Sequence, residues 1–352
     1  MSSTNALVSD LIGSTPDAHT RAVTLAVRSA MTRLDLFDRP WSVACSGGPD
    51  SLALTFAAAD LAARTGVRLT AIIVDHGMRE ESGEEAFQTA NLLSQWGIDS
   101  VIEKVRVEGT GGLEAAAREA RYRALRENTR PGGAILLGHT MDDQAETVLL
   151  GLGRGSGTRS LSGMREYTED SRAWVRPLLS IRRTDTVGMC AELGLPAIAD
   201  PSNQINGGWT TSRGEPLPRI AMRHRVIPEL SKALGRDVVP LLARSAKLLD
   251  RDATALENLA NKQTAKQTAS HVLIVKELAK LEPAILTRVL IDAAIQAGSG
   301  ALEAAHVDAL ERLVTNYNGG GPIHLPNGVR ARREKTVVDG TLRAVVKIFK
   351  QA

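Results

Sequence analysis

The chain is poor in aromatic residues and in cysteine. Phe, Trp and Tyr together make up 3% of its 352 residues, which argues against an RNA-binding sheet that stacks bases on exposed rings. Two cysteines, Cys45 and Cys190, are too few for a disulfide framework or a four-cysteine zinc site. Each reads as a small buried residue. No stretch approaches the ~20 uninterrupted apolar residues of a membrane helix. The N-terminal residues also lack a basic segment followed by an apolar core. A cytoplasmic protein without membrane association is therefore expected. Nor is charge of one sign in large excess: 43 Lys and Arg against 40 Asp and Glu leave a formal net charge of +3. What remains is ordinary for a globular chain, with 43% hydrophobic and 24% charged residues. At about 150 residues per domain the length suggests two domains, or three.

From about Pro40 to Asp200, short apolar runs alternate with amphipathic segments. Trp41–Cys45, Leu69–Val74, Val101–Val107 and Ala134–Leu137 read as buried parallel strands. Ser51–Arg64, Glu84–Trp96, Leu113–Asn128 and Asp143–Leu150 carry apolar residues at helical spacing. This alternation predicts an α/β fold: a doubly wound, mostly parallel sheet with ligands in the crevice at the carboxyl ends of its strands. Beyond Asp200 the texture changes. Ser202–Leu217 is a polar run without periodicity, longer than an ordinary connection. Met222–Leu249, Glu282–Ala297 and Glu303–Val314 read as helices, and the last segment alternates around Ile323, Val329, Val337 and Val345. The expected organisation is a flexible N-terminus over 1–20, an α/β domain over 21–220, and a helical domain over 221–352 that ends in a small sheet.

Chemistry concentrates in Val43–Ser51, VACSGGPDS. An apolar strand ends at Cys45, Ser46-Gly47-Gly48 makes a turn, and a helix begins near Pro49 or Asp50. Proline suits the first helical turn, where its missing N–H would be unpaired anyway. The glycines let backbone N–H groups converge on an anion at the helix's positive end. The turn contains no lysine and lacks the three-glycine dinucleotide fingerprint, so it is neither common nucleotide loop. A glycine-rich turn without a ligand is the plain alternative. Further along, His139, Asp142, Asp143 and Glu146 share one face of a helix that starts at the crevice. An acidic pair at a helix start also complements the dipole. Asp142 is the expected cap, leaving Asp143 and His139 to face a ligand.

Ser46–Ser51, SGGPDS, resembles the pyrophosphate-loop motif SGGxDS of enzymes that cleave ATP between its α and β phosphates. Other stretches follow in order: IIVDHGMRE at Ile72–Glu80, GLEAAAREARYRAL at Gly112–Leu125, LGHTMDDQAET at Leu137–Thr147 and RGSG at Arg154–Gly157. VRPLL at Val175–Leu179, DPSN at Asp200–Asn203 and RHRVIP at Arg223–Pro228 complete the set. Together they resemble the tRNA(Ile)-lysidine synthase family, strongly from Pro40 to Pro228 and by position and length beyond. One departure is Ile220, which follows Arg219 where the family commonly has asparagine.

The resemblance implies ATP as substrate, Mg²⁺ as metal, and ligation of free L-lysine to the wobble cytidine of a tRNA(Ile) with a CAU anticodon. Ser46, Gly47, Gly48, Pro49, Asp50 and Ser51 would hold the departing pyrophosphate, with Asp75 and His76 beside the nucleotide. Asp50, His139, Asp143 and Arg223 become the candidate catalytic residues, and Asp50 and Asp143 the metal ligands. Two carboxylates beside phosphates suit Mg²⁺ better than zinc. Asp143 or His139 would accept a proton from the lysine amine. Glu114, Arg118, Arg154, Arg219 and Arg225 are candidate substrate contacts, Glu114 for the α-amine of lysine.

Arginine's planar fork suits RNA phosphates, although a basic cluster is often a solvated face. Such clusters occur at Arg213, Arg219, Arg223 and Arg225, at Arg118, Arg121, Arg123 and Arg126, at Arg154 and Arg159, and at Arg330, Arg332, Arg333 and Lys335. Three alternatives stay open: a pyrophosphate-loop tRNA thiolase, disfavoured by the missing cysteine pair; an ammonia-dependent small-molecule synthetase; and a tRNA-binding protein without catalysis. Self-association as a homodimer is also left open.

Overall fold

A computed structural model describes residues 6–79, 81–107, 113–155, 157–198, 215–264 and 272–350. The chain divides into two compact units, Met1–Leu249 and Asp250–Ala352. In the first, short strands of Val, Ile, Leu and Ala are covered by helices, as strands buried on both faces require. It opens with α1 (Ala6–Ile12), α2 (Ala18–Leu34), β1 (Trp41–Ala44), α3 (Pro49–Thr65), β2 (Leu69–Asp75), α4 (Ser82–Gln95) and β3 (Ser100–Lys104). There follow α5 (Leu113–Glu127), β4 (Ala134–Leu136), α6 (Met141–Gly153), α7 (Thr158–Leu161), β5 (Tyr167–Glu169), β6 (Ala173–Val175) and α8 (Arg183–Glu192). Next come α9 (Pro218–Ala221), a π-turn over Met222–Val226, α10 (Ile227–Leu234) and α11 (Val239–Thr264), which runs on past the unit's end.

The six-stranded sheet has the order β3-β2-β1-β4-β6-β5, parallel except for the β5–β6 pair. β1 pairs with β2 on one side and β4 on the other, so the strand order reverses between β1 and β4. That reversal opens a crevice at the carboxyl ends of these strands, the place where doubly wound sheets bind ligands. Trp41, Val43, Leu52, Phe56 and Leu136 are buried with Val23, Val27 and Met31 of α2 in one core. Ala53, Ala57 and Ala58 of α3 belong to the same core.

Four expectations change. The N-terminus is not a flexible arm throughout: Val8 and Ile12 of α1 join the core, and Ser9 Oγ donates to Asp60 at 2.8 Å. β3 is an edge strand, not a buried one, with Val101 and Ile102 each 41% exposed. The stretch Met222–Leu249 is interrupted, because Gly235 takes a left-handed conformation (φ 62°) that ends α10. Asp237 then accepts the Val239 N–H at 3.0 Å and starts α11. Finally, the units divide after Leu249 and not near residue 220. Arg219 and Arg223 tie α9 and the π-turn to Glu146 of α6, which holds this segment in the first unit.

The second unit contains β7 (Val272–Ile274), α12 (Val275–Leu278), α13 (Pro283–Gln296), α14 (Ala304–Thr315), β8 (Ile323–His324), β9 (Val329–Val338) and β10 (Thr341–Lys350). Its four-stranded antiparallel sheet has the order β7-β10-β9-β8. Asp339 and Gly340, at φ 49° and 72°, turn β9 into β10, the geometry of a type I′ hairpin. Val289, Leu290, Leu310, Val329 and Val346 form its core. Among the described residues of the chain, no helix is long and apolar enough to cross a membrane.

Leu136 lies fully buried in β4, the strand beside the crevice. Leu136→Ala is expected to cost about 2–5 kcal/mol of stability. Denaturant unfolding checks this; an unchanged midpoint would mean that β4 does not anchor the core.

Candidate active site

The loop after β1 is shaped by hydrogen bonds among its own residues. Ser51 Oγ accepts the Ser46 N–H at 3.1 Å and donates to the Gly48 carbonyl at 2.9 Å. Gly47 has φ +80°, and a Cβ there would lie 2.5 Å from Thr89 Oγ1 and 2.8 Å from Ile198 Cδ1. Only glycine fits. Gly48 is the N-cap of α3 and Pro49 its first residue, so the helix's free N–H groups open toward the crevice. Gly138 at the end of β4 permits a second close approach, since a Cβ there would lie 3.0 Å from the Asp50 carbonyl oxygen. The first turn of α3 and the start of α6 are thereby brought side by side.

Between them lies a network of acids and arginines. Arg183, at the start of α8, donates from Nε to Asp50 Oδ2 at 3.0 Å and from Nη2 to Asp143 Oδ1 at 2.8 Å. The Thr186 hydroxyl donates to the other Asp50 oxygen. Glu146, 1% exposed in its side chain, accepts from Arg223 Nε at 2.7 Å and Arg219 Nε at 3.0 Å, and lies 3.6 Å from Arg183. Arg223 also reaches Asp143 at 3.4 Å. The π-turn carries Arg223, and such turns are frequent at functional sites.

The structure corrects the roles within the acidic pair. Asp142 is not the cap of α6. Thr140 holds that position, and its N–H and hydroxyl donate to Asp143 Oδ2 at 2.8 and 3.0 Å. Asp142 binds the Arg182 guanidinium at 3.1 and 3.2 Å and accepts the Arg183 N–H at 2.7 Å. Asp143, at the third position of the helix, therefore both closes the capping box with Thr140 and joins the network. Arg183 and Thr186 are the functional side chains missed by the sequence reading. A signal was present: Arg182-Arg183 opens a helix, where a cation opposes the dipole and so calls for acidic partners elsewhere in the fold.

Other candidates fall outside this network. Asp75 closes β2, where its Oδ1 accepts from the Gly77 N–H at 2.9 Å and Ser82 Oγ at 2.7 Å. His76 follows, with a buried Nδ1 that has no partner among the described residues. Arg118 is exposed on α5 and donates to Tyr122 at 3.0 Å. Arg154 ends α6, exposed, and Arg225 is exposed on the π-turn. In the second unit, Arg332 pairs with Glu334 at 2.5 Å and Arg333 donates to the Leu313 carbonyl at 3.1 Å. Arg213, Asp200–Asn203, most of the Ser202–Leu217 loop and the side chain of Glu114 lie outside the described residues.

The environment separates the acids. Burial pushes Asp50 above the usual carboxylate range despite Arg183 and Thr186. Burial would raise Asp143 as well, but Arg183, His139, the Thr140 N–H and Arg219 together hold it at about 2. Burial lowers His139 to about 3, with Arg176, Arg121 and Arg219 adding to the effect and Asp143 opposing it. His139 is thus neutral at physiological pH, and its Nδ1 is buried without a partner among the described residues. Burial also raises the thiols of Cys45 and Cys190, the latter to about 11, so neither is poised as a nucleophile.

Asp50 and Asp143 supply two carboxylates that share one guanidinium. That donor set fits Mg²⁺, which binds through one or two carboxylates together with substrate phosphates and water. Among the described residues no cluster of three His, Cys, Asp or Glu groups suits a metal held by protein alone.

Glu146→Ala would leave Arg219 and Arg223 without their buried acid, and is expected to destabilise the chain by about 3–5 kcal/mol. Thermal unfolding beside Glu146→Gln tests this, and a wild-type midpoint in both would deny the network a structural role. An imidazole held below its unfolded value of 6.5 contributes stability that is complete above that pH and is lost as pH falls toward 3. Between pH 6.5 and about 4, His139 should add a slope approaching 1.4 kcal/mol per pH unit. His139→Gln should remove it in denaturant titrations; an unaltered slope would assign the acid sensitivity elsewhere.

Comparison with known proteins now bears on this geometry. The PP-loop domain model matches residues 23–230. The tRNA(Ile)-lysidine synthase of Streptomyces coelicolor is 44% identical over 298 residues, covering 83% of this chain and 82% of that protein. The tRNA(Ile)-lysidine synthase of Salinispora arenicola is 43% identical over 337 residues, covering 90% and 96% respectively. Among solved structures, the U34-tRNA thiolase of Methanococcus maripaludis aligns with a TM-score of 0.51 at 17% identity, over 66% of this chain and 80% of that one. That likeness is one of fold. The chain belongs to the PP-loop ATP-binding family and, within it, to the tRNA(Ile)-lysidine synthases.

Proposed function

We propose that the crevice between β1 and β4 ligates free lysine to the wobble cytidine of a CAU-anticodon tRNA(Ile), consuming ATP and releasing pyrophosphate and then AMP. The observation that carries this reading is the set of acids and arginines around Arg183, built beside the SGGPDS loop at the sheet's switch point. In the first step the cytosine 2-carbonyl oxygen attacks the α phosphate. The N–H groups opening α3 stabilise charge growing on the departing pyrophosphate. Mg²⁺, held by Asp50 and Asp143, would neutralise phosphate charge there. Arg183, Arg219 and Arg223 rest on carboxylates in the structure. Their forked geometry suits phosphate oxygens when the nucleotide enters.

In the second step the lysine ε-amine attacks the activated carbon and AMP leaves. An ammonium with pKa near 10.4 is neutral in only about one of 2,500 molecules at pH 7, a deficit of roughly 4.6 kcal/mol. Of the two candidate acceptors, Asp143 is the poorer, because it would hold Mg²⁺ and because, against burial, Arg183, His139 and the Thr140 N–H keep its carboxyl at about 2. His139 is neutral, and its buried Nδ1 has no partner among the described residues. We assign it the proton. Arg118, Arg154 and Arg225, exposed and outside the network, are assigned to the RNA, as is the unit Asp250–Ala352 with its Arg330–Lys335 strand.

Burial of the chain's two cysteines, Cys45 and Cys190, favours this reading over a thiolase.

Incubation with ATP, Mg²⁺, radiolabelled lysine and the CAU-anticodon transcript should place label on RNA. Label transferred only from a sulfur donor would sink the proposal. Asp50→Asn and Asp143→Asn should abolish pyrophosphate release. Arg223→Lys, which keeps the charge but loses the fork, should slow turnover by about 10²–10³-fold. Full activity in Arg223→Lys would leave that residue a purely structural role.

A further inference from the structure

A second cationic site lies apart from the SGGPDS loop. A cavity of about 290 Å³ opens between α7 and the β5–β6 hairpin, lined by Arg159 and Arg165, by Ser162 and Thr168, and by Arg176 of the VRPLL stretch. Among the described residues that line it there is no carboxylate, and none comes from the phosphate loop or α3. Arg176 is the central observation. It is 8% exposed, its Nη1 donates to the Arg165 carbonyl at 2.9 Å, and its buried Nε has no partner among the described residues. Arg183, a half-buried arginine nearby in the chain, is matched by Asp50, Asp143 and Glu146. A buried guanidinium with a donor left unsatisfied is costly until a partner is supplied.

The cavity walls are preformed. Gln144 of α6 clasps Met164 from both sides, donating to its carbonyl at 2.9 Å and accepting its N–H at 2.7 Å. Gly163, at φ +67°, makes this possible, for a Cβ there would lie 2.6 Å from Gln144 Oε1. Ser162 Oγ donates to the Arg159 carbonyl at 2.7 Å, and the Arg176 N–H to the Glu166 carbonyl at 2.8 Å. The clasp hangs from the helix that carries Asp143 and Glu146, and Arg176 lies near enough to His139 to depress its protonation. The site is therefore built onto the catalytic helix.

We propose that this cavity binds a backbone phosphodiester of the RNA substrate, with the arginines supplying the charge and the Ser162–Arg165 segment the shape. The ligand's being RNA rests on the function proposed above; the cavity's preference for a phosphate oxyanion rests on its own arginines. A phosphate of ATP is the competing source of the same chemistry. It is disfavoured because the nucleotide's loop contributes nothing to the lining.

Three measurements test this: binding of unfractionated tRNA across a salt series, KM for ATP in pyrophosphate release, and lysine transfer. Wild type is compared with Arg176→Gln and with Arg159→Gln at the exposed rim. Each substitution should weaken tRNA binding about ten- to hundredfold. Each should flatten the salt dependence by about 0.7–0.9 for every phosphate left without its arginine. KM for ATP should stay unchanged. Wild-type tRNA affinity in both variants at every salt concentration would overturn the proposal, as would a raised KM for ATP with RNA binding intact. If thermal melting shows Arg176→Gln unfolded, Arg159→Gln decides alone. A wild-type protein that transfers no lysine, while the variants still lose tRNA affinity, would refute the function and leave the phosphate cavity standing.

Discussion

The site depends on the guanidinium of Arg183, which bridges Asp50 at the start of α3 and Asp143 at the start of α6. Both acids are largely withdrawn from water, and two carboxylates at close quarters repel each other. Arg183 makes their approach tolerable, and Glu146 repeats the arrangement one turn along α6 with Arg219 and Arg223. Three acids thus face three arginines, and the cluster is electrically balanced before any substrate binds. Under the function proposed above, such balance would suit a site that admits a polyanion and its metal.

The scaffold explains how residues from distant parts of the chain come to share this network. Parallel strands point their carboxyl ends the same way, and the reversal of strand order leaves a gap between β1 and β4. Glycines narrow it. At Gly47 the side chains of Thr89 and Ile198 leave no room for a Cβ, and at Gly138 the backbone of Asp50 comes so close that the starts of α3 and α6 converge. The last contribution comes from α9 and the π-turn, held against α6 by ion pairs from Arg219 and Arg223 to the buried Glu146.

Much of this was legible in the chain. The α/β alternation predicted the sheet, and SGGPDS marked the phosphate loop with a helix starting at Pro49. The spacing put Asp143 and Glu146 on one helix, whereas His139 lies just before its Thr140 cap. Errors arose where local rules compete on equal terms. Asp142 and Asp143 are chemically equivalent as caps. Tertiary partners separated them, since Arg182 and the Arg183 N–H engage Asp142 and leave Asp143 to Thr140. Val101 and Ile102 look like core residues, but whether a strand lies at an edge depends on what the rest of the chain places beside it.

By itself the sequence determined the fold class and the tight turn before α3, because these rest on backbone geometry and short-range order: glycines where the chain must turn tightly, apolar periodicity where it must be buried. The family came from the resemblance of its ordered motifs. Only the tertiary structure decided which charges meet. Arg183 lies far along the chain from Asp50, and no periodicity links them. Their pairing follows from the helices converging on one crevice, where burial leaves a charge no stable alternative to an opposite one.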